Sequence, residues 1–140
     1  RVVRVGPQIP IAQVGGRKAS IAFTPHLVPM TRGILATCYA RPTGAADAKR
    51  LYAAAEAAYR NEPFVKLTPL DKGRSAHTGW ATGSNLAFLS YAVNARTGLV
   101  VAIGAIDNLG KGASAQALQN ANLMTGQPET AGLAGLPLWP

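Results

Sequence analysis

Runs of apolar residues, separated by short polar or glycine-containing stretches, organise most of this chain. Residues 85–93 and 99–106 are two such runs, and the five residues 94–98, which end in a glycine, connect them. A connection of this length between two runs of β-forming residues is typical of a β-hairpin. The sequence therefore predicts two adjacent antiparallel strands in the second half of the chain.

Shorter apolar runs predict further strands. Residues 18–27 and 33–40 are rich in apolar and β-branched residues, and residues 64–67 form a short run after a proline. We expect the strands at 18–27 and 33–40 to be buried. Cys38 lies within the second of these strands and is interpreted as a buried structural thiol.

Two segments show the apolar spacing of an amphipathic helix. One helix is predicted over residues 43–60, and the proline at 63 ends it because the residue before a proline is disfavoured in a helix. The other is predicted over residues 112–124, with an apolar stripe formed by Ala113, Ala117, Ala121 and Met124.

About five or six strands and two helices, without regular alternation of strand and helix, favour an α+β fold. The expected architecture is a mixed, largely antiparallel sheet with helices packed on one face. No Gly-x-Gly-x-x-Gly segment follows a predicted strand, so the sequence contains no dinucleotide-binding half. Residues 1–17 are expected to form an N-terminal arm, and residues 18–140 one domain with a C-terminal helix and tail.

Composition excludes several classes of function. The single cysteine excludes a disulfide framework and a multi-cysteine metal site, and neither histidine has a second ligand at metal-binding spacing. The net charge is +8, but the basic residues are scattered without interleaved aromatics, so we expect no nucleic-acid partner. No apolar run approaches the roughly 20 residues of a membrane span, and no signal peptide is evident. We expect no membrane partner and a cytoplasmic location.

Residues 107–114, DNLGKGAS, join a predicted strand to the last helix through unusually small residues. A helix start built from such residues leaves backbone N–H groups uncovered, so an anion or a carboxamide can approach them. Small residues also allow a helix to pack tightly on a sheet. From these residues alone both interpretations stay open.

Three segments, in their order and spacing, resemble the C-terminal half of the N-acetyl-gamma-glutamyl-phosphate reductase family. They are FTPHLVPMTRGILAT (residues 23–37), TGSNLAFLSYAVNARTGLVVAIGAIDNLGKGASAQALQNANLMTG (82–126) and QPETAGLAGLPLWP (127–140). EPFV at residues 62–65 is also similar. The resemblance implies the C-terminal domain of glyceraldehyde-3-phosphate-dehydrogenase-like reductases, which binds substrate and forms a homo-oligomer.

The resemblance also implies a reaction of arginine biosynthesis, in which NADPH reduces N-acetyl-gamma-glutamyl phosphate to N-acetylglutamate semialdehyde. In this family a cysteine forms a thioester and a histidine acts as acid and base. The Gly-Cys-Tyr-Pro-Thr type of motif and the His-Arg-His-x-Pro-Glu-Ile-like segment that carry them are missing here, and Cys38 does not correspond to the nucleophile. We therefore expect no catalytic residue in this sequence and no activity from it alone, and whether the chain is an enzyme stays open.

By the same resemblance, some residues fall on the family's substrate side and others near the nicotinamide end of NADP. The substrate-side residues are Arg32, His26, Ser84 and Asn85, and the cofactor-side residues are Asn108, Lys111, Gly112 and Ala113. Structural roles are the alternative: a salt bridge for Arg32, a hydrogen-bonded structural role for His26, and turn formation for Ser84, Asn85, Asn108 and Lys111. NADP is not expected to bind tightly to this chain alone.

Two other functions remain as alternatives to the arginine enzyme. One is a non-catalytic dimerisation module that has kept the oligomer-forming sheet. The other is a related semialdehyde or acyl-phosphate reductase of lysine biosynthesis, because such enzymes share a DNLxKGA-like turn.

Overall fold

The structure, a computed structural model, describes residues 22–68 and 74–138. The chain divides into two compact units, Arg1–Thr31 and Arg32–Pro140. In the first unit, His26 forms an isolated β-bridge and the other described residues of 22–31 form no strand, so the prediction of a strand over 18–27 is wrong for residues 22–25 and 27. Residues 18–21 and the expected boundary between residues 17 and 18 lie outside the described residues.

The second unit is built on a mixed four-stranded sheet. Its strands are β1 (Ile34–Ala40), β2 (Val65–Leu67), β3 (Ala87–Val93) and β4 (Val100–Ile106), in the spatial order β1-β4-β3-β2. β4 pairs antiparallel with both β1 and β3, whereas β2 pairs parallel with β3. The predicted α+β fold with a largely antiparallel sheet is confirmed. The described residues contain four strands where the sequence suggested about five or six.

The predicted hairpin joins β3 to β4, with Val93 opposite Val100. The Asn94 side-chain oxygen accepts hydrogen bonds from the backbone N–H groups of Arg96 (3.0 Å) and Thr97 (3.1 Å). Gly98 closes the turn at φ +68°, a left-handed conformation that glycine adopts without strain. Local turn chemistry therefore sets the register of the two strands.

Helix α1 spans Ala48–Tyr59, within the predicted range 43–60. It begins late because Asp47 has extended backbone angles and its side chain accepts a hydrogen bond from the Lys49 N–H at 2.9 Å. The helix packs against β3 and β2, and its Ala55 is buried.

The last helix differs from its prediction in both start and orientation. Residues Gly110–Ser114 form a wide π-helical turn, and α2 follows as Ala115–Met124. Its apolar stripe is not its buried face, because Gln119 and Asn122 are the buried residues and Met124 is 85% exposed. Among the described residues, no helix is long and apolar enough to cross a membrane.

Strand β1 is exposed along its whole length, with Leu35 54% and Tyr39 69% accessible. Cys38 is exposed as well. The predictions of a buried strand and a buried thiol are therefore wrong for the single chain. The reason is the position of β1 in the sheet. It is the edge strand next to β4, whereas α1 packs on β2 and β3, towards the opposite edge of the sheet.

Candidate functional site

A fully buried carboxylate, that of Asp107, lies immediately after β4. One of its oxygens accepts hydrogen bonds from the backbone N–H groups of Leu109 (2.8 Å) and Gly110 (3.0 Å). The other accepts from the Gly83 N–H at 2.5 Å and forms an ion pair with the Arg32 guanidinium at 2.7 Å. One side chain thereby joins three segments that are distant in sequence.

The hydrogen bonds determine the ionisation of Asp107. Burial is the largest single influence and acts to raise its pKa, since a carboxylate loses hydration in the interior. The bonds from Gly83, Gly110, Arg32 and Leu109 together outweigh burial and lower the pKa of Asp107 to about 2. The group is therefore an anion at neutral pH.

The glycines of the turn allow two backbone segments to approach closely. A Cβ atom on Gly110 would lie 2.5 Å from the carbonyl oxygen of Ser84, and one on Gly112 would lie 3.2 Å from the carbonyl oxygen of Asp107. The Gly112 N–H also donates to that Asp107 oxygen at 2.8 Å. Tight packing therefore explains the glycine at 110, while residues 112 and 113 remain exposed.

Asn108 connects this turn to the start of β1. Its Oδ1 accepts a hydrogen bond from the Gly33 N–H at 2.7 Å, which places Asn108 beside the residue that follows Arg32. That bond uses the carbonyl end of the side chain, so the NH₂ end is the part that can donate to a ligand. The Arg32 Nε is buried and has no partner among the described residues.

A second group of polar side chains lies around Gln119 of α2. Its Oε1 accepts from Lys111 Nζ at 2.6 Å and from Asn85 Nδ2 at 3.0 Å, and its Nε2 donates to Glu129 at 2.5 Å. Lys111 Nζ also lies 5.5 Å from the centre of the Phe64 ring. Burial lowers the pKa of Lys111, while Glu129 and Glu62 act in the opposite direction.

The structure brings most of the predicted site residues together in the second unit. Arg32 and Asn108 lie around Asp107 and Gly33, and Asn85 and Lys111 meet at Gln119. The buried Ser84 hydroxyl donates to the Ala81 carbonyl at 2.8 Å and accepts from the Leu86 N–H at 3.2 Å, so its bonds lie within its own turn. His26 is exposed in the first unit. Their ligand-binding roles stay predictions.

Sequence reasoning missed the three residues that organise this arrangement: Asp107, Gln119 and Glu129. Asp107 had a usable signal, because an aspartate directly after a strand and three residues before a glycine is typical of a side-chain-capped turn. Gln119 follows Lys111 by eight positions, about two helical turns, which places both on one side of the helix. Nothing in the pattern indicated that this polar side is the buried one.

The chain is similar to known proteins over most of its length. Residues 9–108 match the family described as semialdehyde dehydrogenase, dimerisation domain. An N-acetyl-gamma-glutamyl-phosphate reductase of Bradyrhizobium sp. (strain ORS 278) is 57% identical over 126 residues, which cover 90% of this chain and 37% of the relative. Reductases of the same name from Citrifermentans bemidjiense and Jannaschia sp. (strain CCS1) are 50% and 45% identical, over 93% and 92% of this chain and 37% and 36% of their own lengths.

The chain thus spans little more than a third of the length of these curated relatives, and it matches their C-terminal part. The match to the family covers most of the chain, and the similarity to the relatives extends further, over the turn at 107–112 and helix α2. The chain therefore belongs to the semialdehyde dehydrogenase dimerisation-domain family, as the C-terminal type of domain found in N-acetyl-gamma-glutamyl-phosphate reductases.

Proposed function

We propose that this chain is the substrate-binding and dimerisation part of a cytoplasmic, NADPH-dependent N-acetyl-gamma-glutamyl-phosphate reductase of arginine biosynthesis. The observation that carries the proposal is that the first and third family-like segments both make polar side-chain contacts with the second. Arg32 from the first segment pairs with Asp107 from the second, and Glu129 from the third reaches Lys111 through Gln119.

The substrate carries a carboxylate and a phosphate, which require cationic or N–H donors. Arg32 fits this need: one nitrogen is held by Asp107, and its side chain is 34% exposed. The ion pair fixes the direction of the guanidinium before a ligand arrives. We propose Arg32 as the principal anion contact, with Ser84 and Asn85 as further substrate-side residues by resemblance to the family. His26, in the first unit, is proposed as a substrate-side residue from that resemblance alone.

The donors of the 108–113 turn fit the nicotinamide end of NADP. The NH₂ group of Asn108 matches a carboxamide oxygen, and the exposed residues 112 and 113 present small side chains over which a flat ring can lie. Asn108, Lys111, Gly112 and Ala113 are the proposed cofactor-side residues. These residues would hold and orient the cofactor, which would supply a hydride. By resemblance to the family, we place the catalytic cysteine and histidine outside these 140 residues.

A homo-oligomer is part of the proposal. The edge strand β1 presents Ile34, Leu35 and Tyr39, each between 46% and 69% exposed. Leu35 and Tyr39 are four positions apart and therefore lie on the same face of the strand. Large exposed apolar side chains on one face indicate a surface that is covered by another protein. We propose that β1 contributes to contacts with a second copy of the chain.

The proposal is tested in the protein that carries this sequence by following NADPH formation from NADP⁺, phosphate and N-acetylglutamate semialdehyde. Asn108→Asp keeps the acceptor for the Gly33 N–H but removes the NH₂ donors. Loss of one such hydrogen bond should raise the KM for NADP⁺ about tenfold, with an unchanged melting temperature. Asn120→Asp, an exposed amide on α2, is the matched control.

Each other outcome assigns a different function. Oligomer formation without NADPH formation would refute the enzyme and leave the dimerisation module. Turnover only with a lysine-precursor semialdehyde would assign the related lysine reductase. An unchanged KM for NADP⁺ in Asn108→Asp would refute the cofactor contact.

A further inference from the structure

Lys111 is a residue of the 107–112 turn. We propose that Gln119 and Glu129 are positioning residues that hold its ammonium group in place. They couple the C-terminal segment, residues 127–138, to the cofactor side of the site. The inference rests on the proposed function, which places Lys111 at the nicotinamide end of NADP.

The hydrogen bonds of Gln119 allow only one orientation of its amide. Two donors, Lys111 Nζ and Asn85 Nδ2, face its oxygen, and one acceptor, the Glu129 carboxylate, faces its nitrogen. Gln119 is 7% exposed, so water cannot readily replace a lost partner. A neutral amide is the side-chain group that combines an acceptor and a donor in this way. It lies between the Lys111 ammonium and the Glu129 carboxylate and forms one hydrogen bond with each.

Glu129 is itself held by bonds that do not involve Lys111. The Asn122 side chain of α2 donates to the carbonyl oxygens of Glu129 (3.2 Å) and Ala131 (2.9 Å). At the far end of the segment the Leu138 N–H donates to the Thr82 carbonyl at 2.8 Å. The C-terminal segment is thus attached both to α2 and to the turn that supplies Gly83 to Asp107, and it presents the Glu129 carboxylate at a fixed place.

The charge of Lys111 depends on the same surroundings. The charged groups that act on it are Glu129, from the C-terminal segment, and Glu62, from the turn after α1. Burial lowers the pKa of Lys111, and both glutamates oppose that effect. The Phe64 ring lies 5.5 Å from the ammonium and provides a cation–π contact. Glu129 therefore contributes both a position, through Gln119, and a stabilising charge.

Reciprocal substitutions separate these contributions. Gln119→Glu sets a carboxylate against the Glu129 carboxylate and removes its donor. Glu129→Gln removes the negative charge but keeps an oxygen that can accept from Gln119. In the double variant, the new carboxylate at 119 can accept from Lys111 and Asn85, while the new amide at 129 donates to it. All the hydrogen bonds are restored with the net charge unchanged.

The first measurement is the pKa of Lys111, followed by NMR of the protein with isotopically labelled, dimethylated lysines and with the signal assigned by Lys111→Arg. We expect the pKa to fall in Glu129→Gln and to rise in Gln119→Glu. Glu56→Gln, on the exposed surface of α1, is the charge-removal control and should leave it unchanged. An unchanged Lys111 pKa in Glu129→Gln would overturn the inference.

The second measurement is the KM for NADP⁺ in the protein that carries this sequence. We expect it to rise about tenfold in Gln119→Glu, equivalent to one lost hydrogen bond, and to return to near its original value in the double variant. A double variant as impaired as Gln119→Glu would overturn the inference. Turnover that is absent from the unsubstituted protein, with the Lys111 pKa moving as expected, would refute the proposed function and leave the positioning of Lys111 established.

Discussion

Replacing Asp107 with asparagine tests whether its carboxylate holds the site together. The carboxylate is fully buried and accepts from three backbone N–H groups and the Arg32 guanidinium. An asparagine oxygen can keep the bonds from Leu109 and Gly110, but the new NH₂ group then faces two donors, the Gly83 N–H and Arg32. Removing one partner of a buried charged pair costs about 3–5 kcal/mol, and the partial exposure of Arg32 favours the lower end.

The pH dependence follows from the lowered pKa of Asp107. The pKa falls from 3.8 to about 2 on folding, so the ionised group contributes roughly 2 kcal/mol to stability at neutral pH. Because the folded pKa is the lower one, this contribution is present above about pH 4 and is lost as the pH falls towards 2. The asparagine variant has no such ionisable group, so the difference in unfolding free energy between it and the unsubstituted chain should become smaller as the pH is lowered.

The assay is urea unfolding of the chain and the Asp107→Asn variant, from neutral pH down to about pH 2. We expect the free energy of unfolding of Asp107→Asn to be about 3 kcal/mol lower than that of the unsubstituted chain at neutral pH, and the difference to become smaller below about pH 4. Asp47→Asn is the matched control, because Asp47 is exposed and asparagine caps helices equally well. The reasoning would be refuted if Asp107→Asn lost no more unfolding free energy at neutral pH than Asp47→Asn does. It would also be refuted if the loss stayed the same as the pH is lowered.

Two further predictions use matched pairs. Gly83 and Gly98 both have positive φ. A Cβ atom on Gly83 would collide with Leu138 at 2.5 Å, whereas one on Gly98 would meet nothing within 4 Å. Gly83→Ala should therefore lower the free energy of unfolding by about 1–3 kcal/mol more than Gly98→Ala does, as measured by thermal unfolding. Equal losses would contradict that packing. Leu35→Lys should weaken self-association about tenfold or more in sedimentation experiments, whereas Leu123→Lys, at similar exposure, should not; equal effects would exclude β1 as the interface.

Local patterns in the sequence were sufficient for several elements of the fold. The hairpin was predictable because Asn94 and Gly98 encode their own turn through short-range hydrogen bonds and a left-handed backbone. Helix α1 was predictable in its core, but its start was placed too early. The Asp47 cap interrupts a segment whose composition alone would allow a longer helix.

Burial was predicted less well, because it depends on which elements lie above each strand or helix. The apolar strand β1 and the α2 residues Ala117 and Ala121 have the composition of a protein interior, yet they are exposed in the single chain. The buried side of α2 is polar because Asn85, Lys111 and Glu129 supply partners for Gln119. Such partners lie at long sequence separation and leave no periodic signal.

The sequence by itself determined the fold class, the hairpin and the family, because hydrophobic periodicity, turn residues and motif order are all local or linear properties. It left open whether the small residues of DNLGKGAS serve packing or a ligand. Only the tertiary structure showed that Gly110 makes room for the Ser84 carbonyl and that Asp107 fastens the turn to Gly83 and Arg32. A buried carboxylate needs several donors at once, and the donors come from segments that only folding brings together.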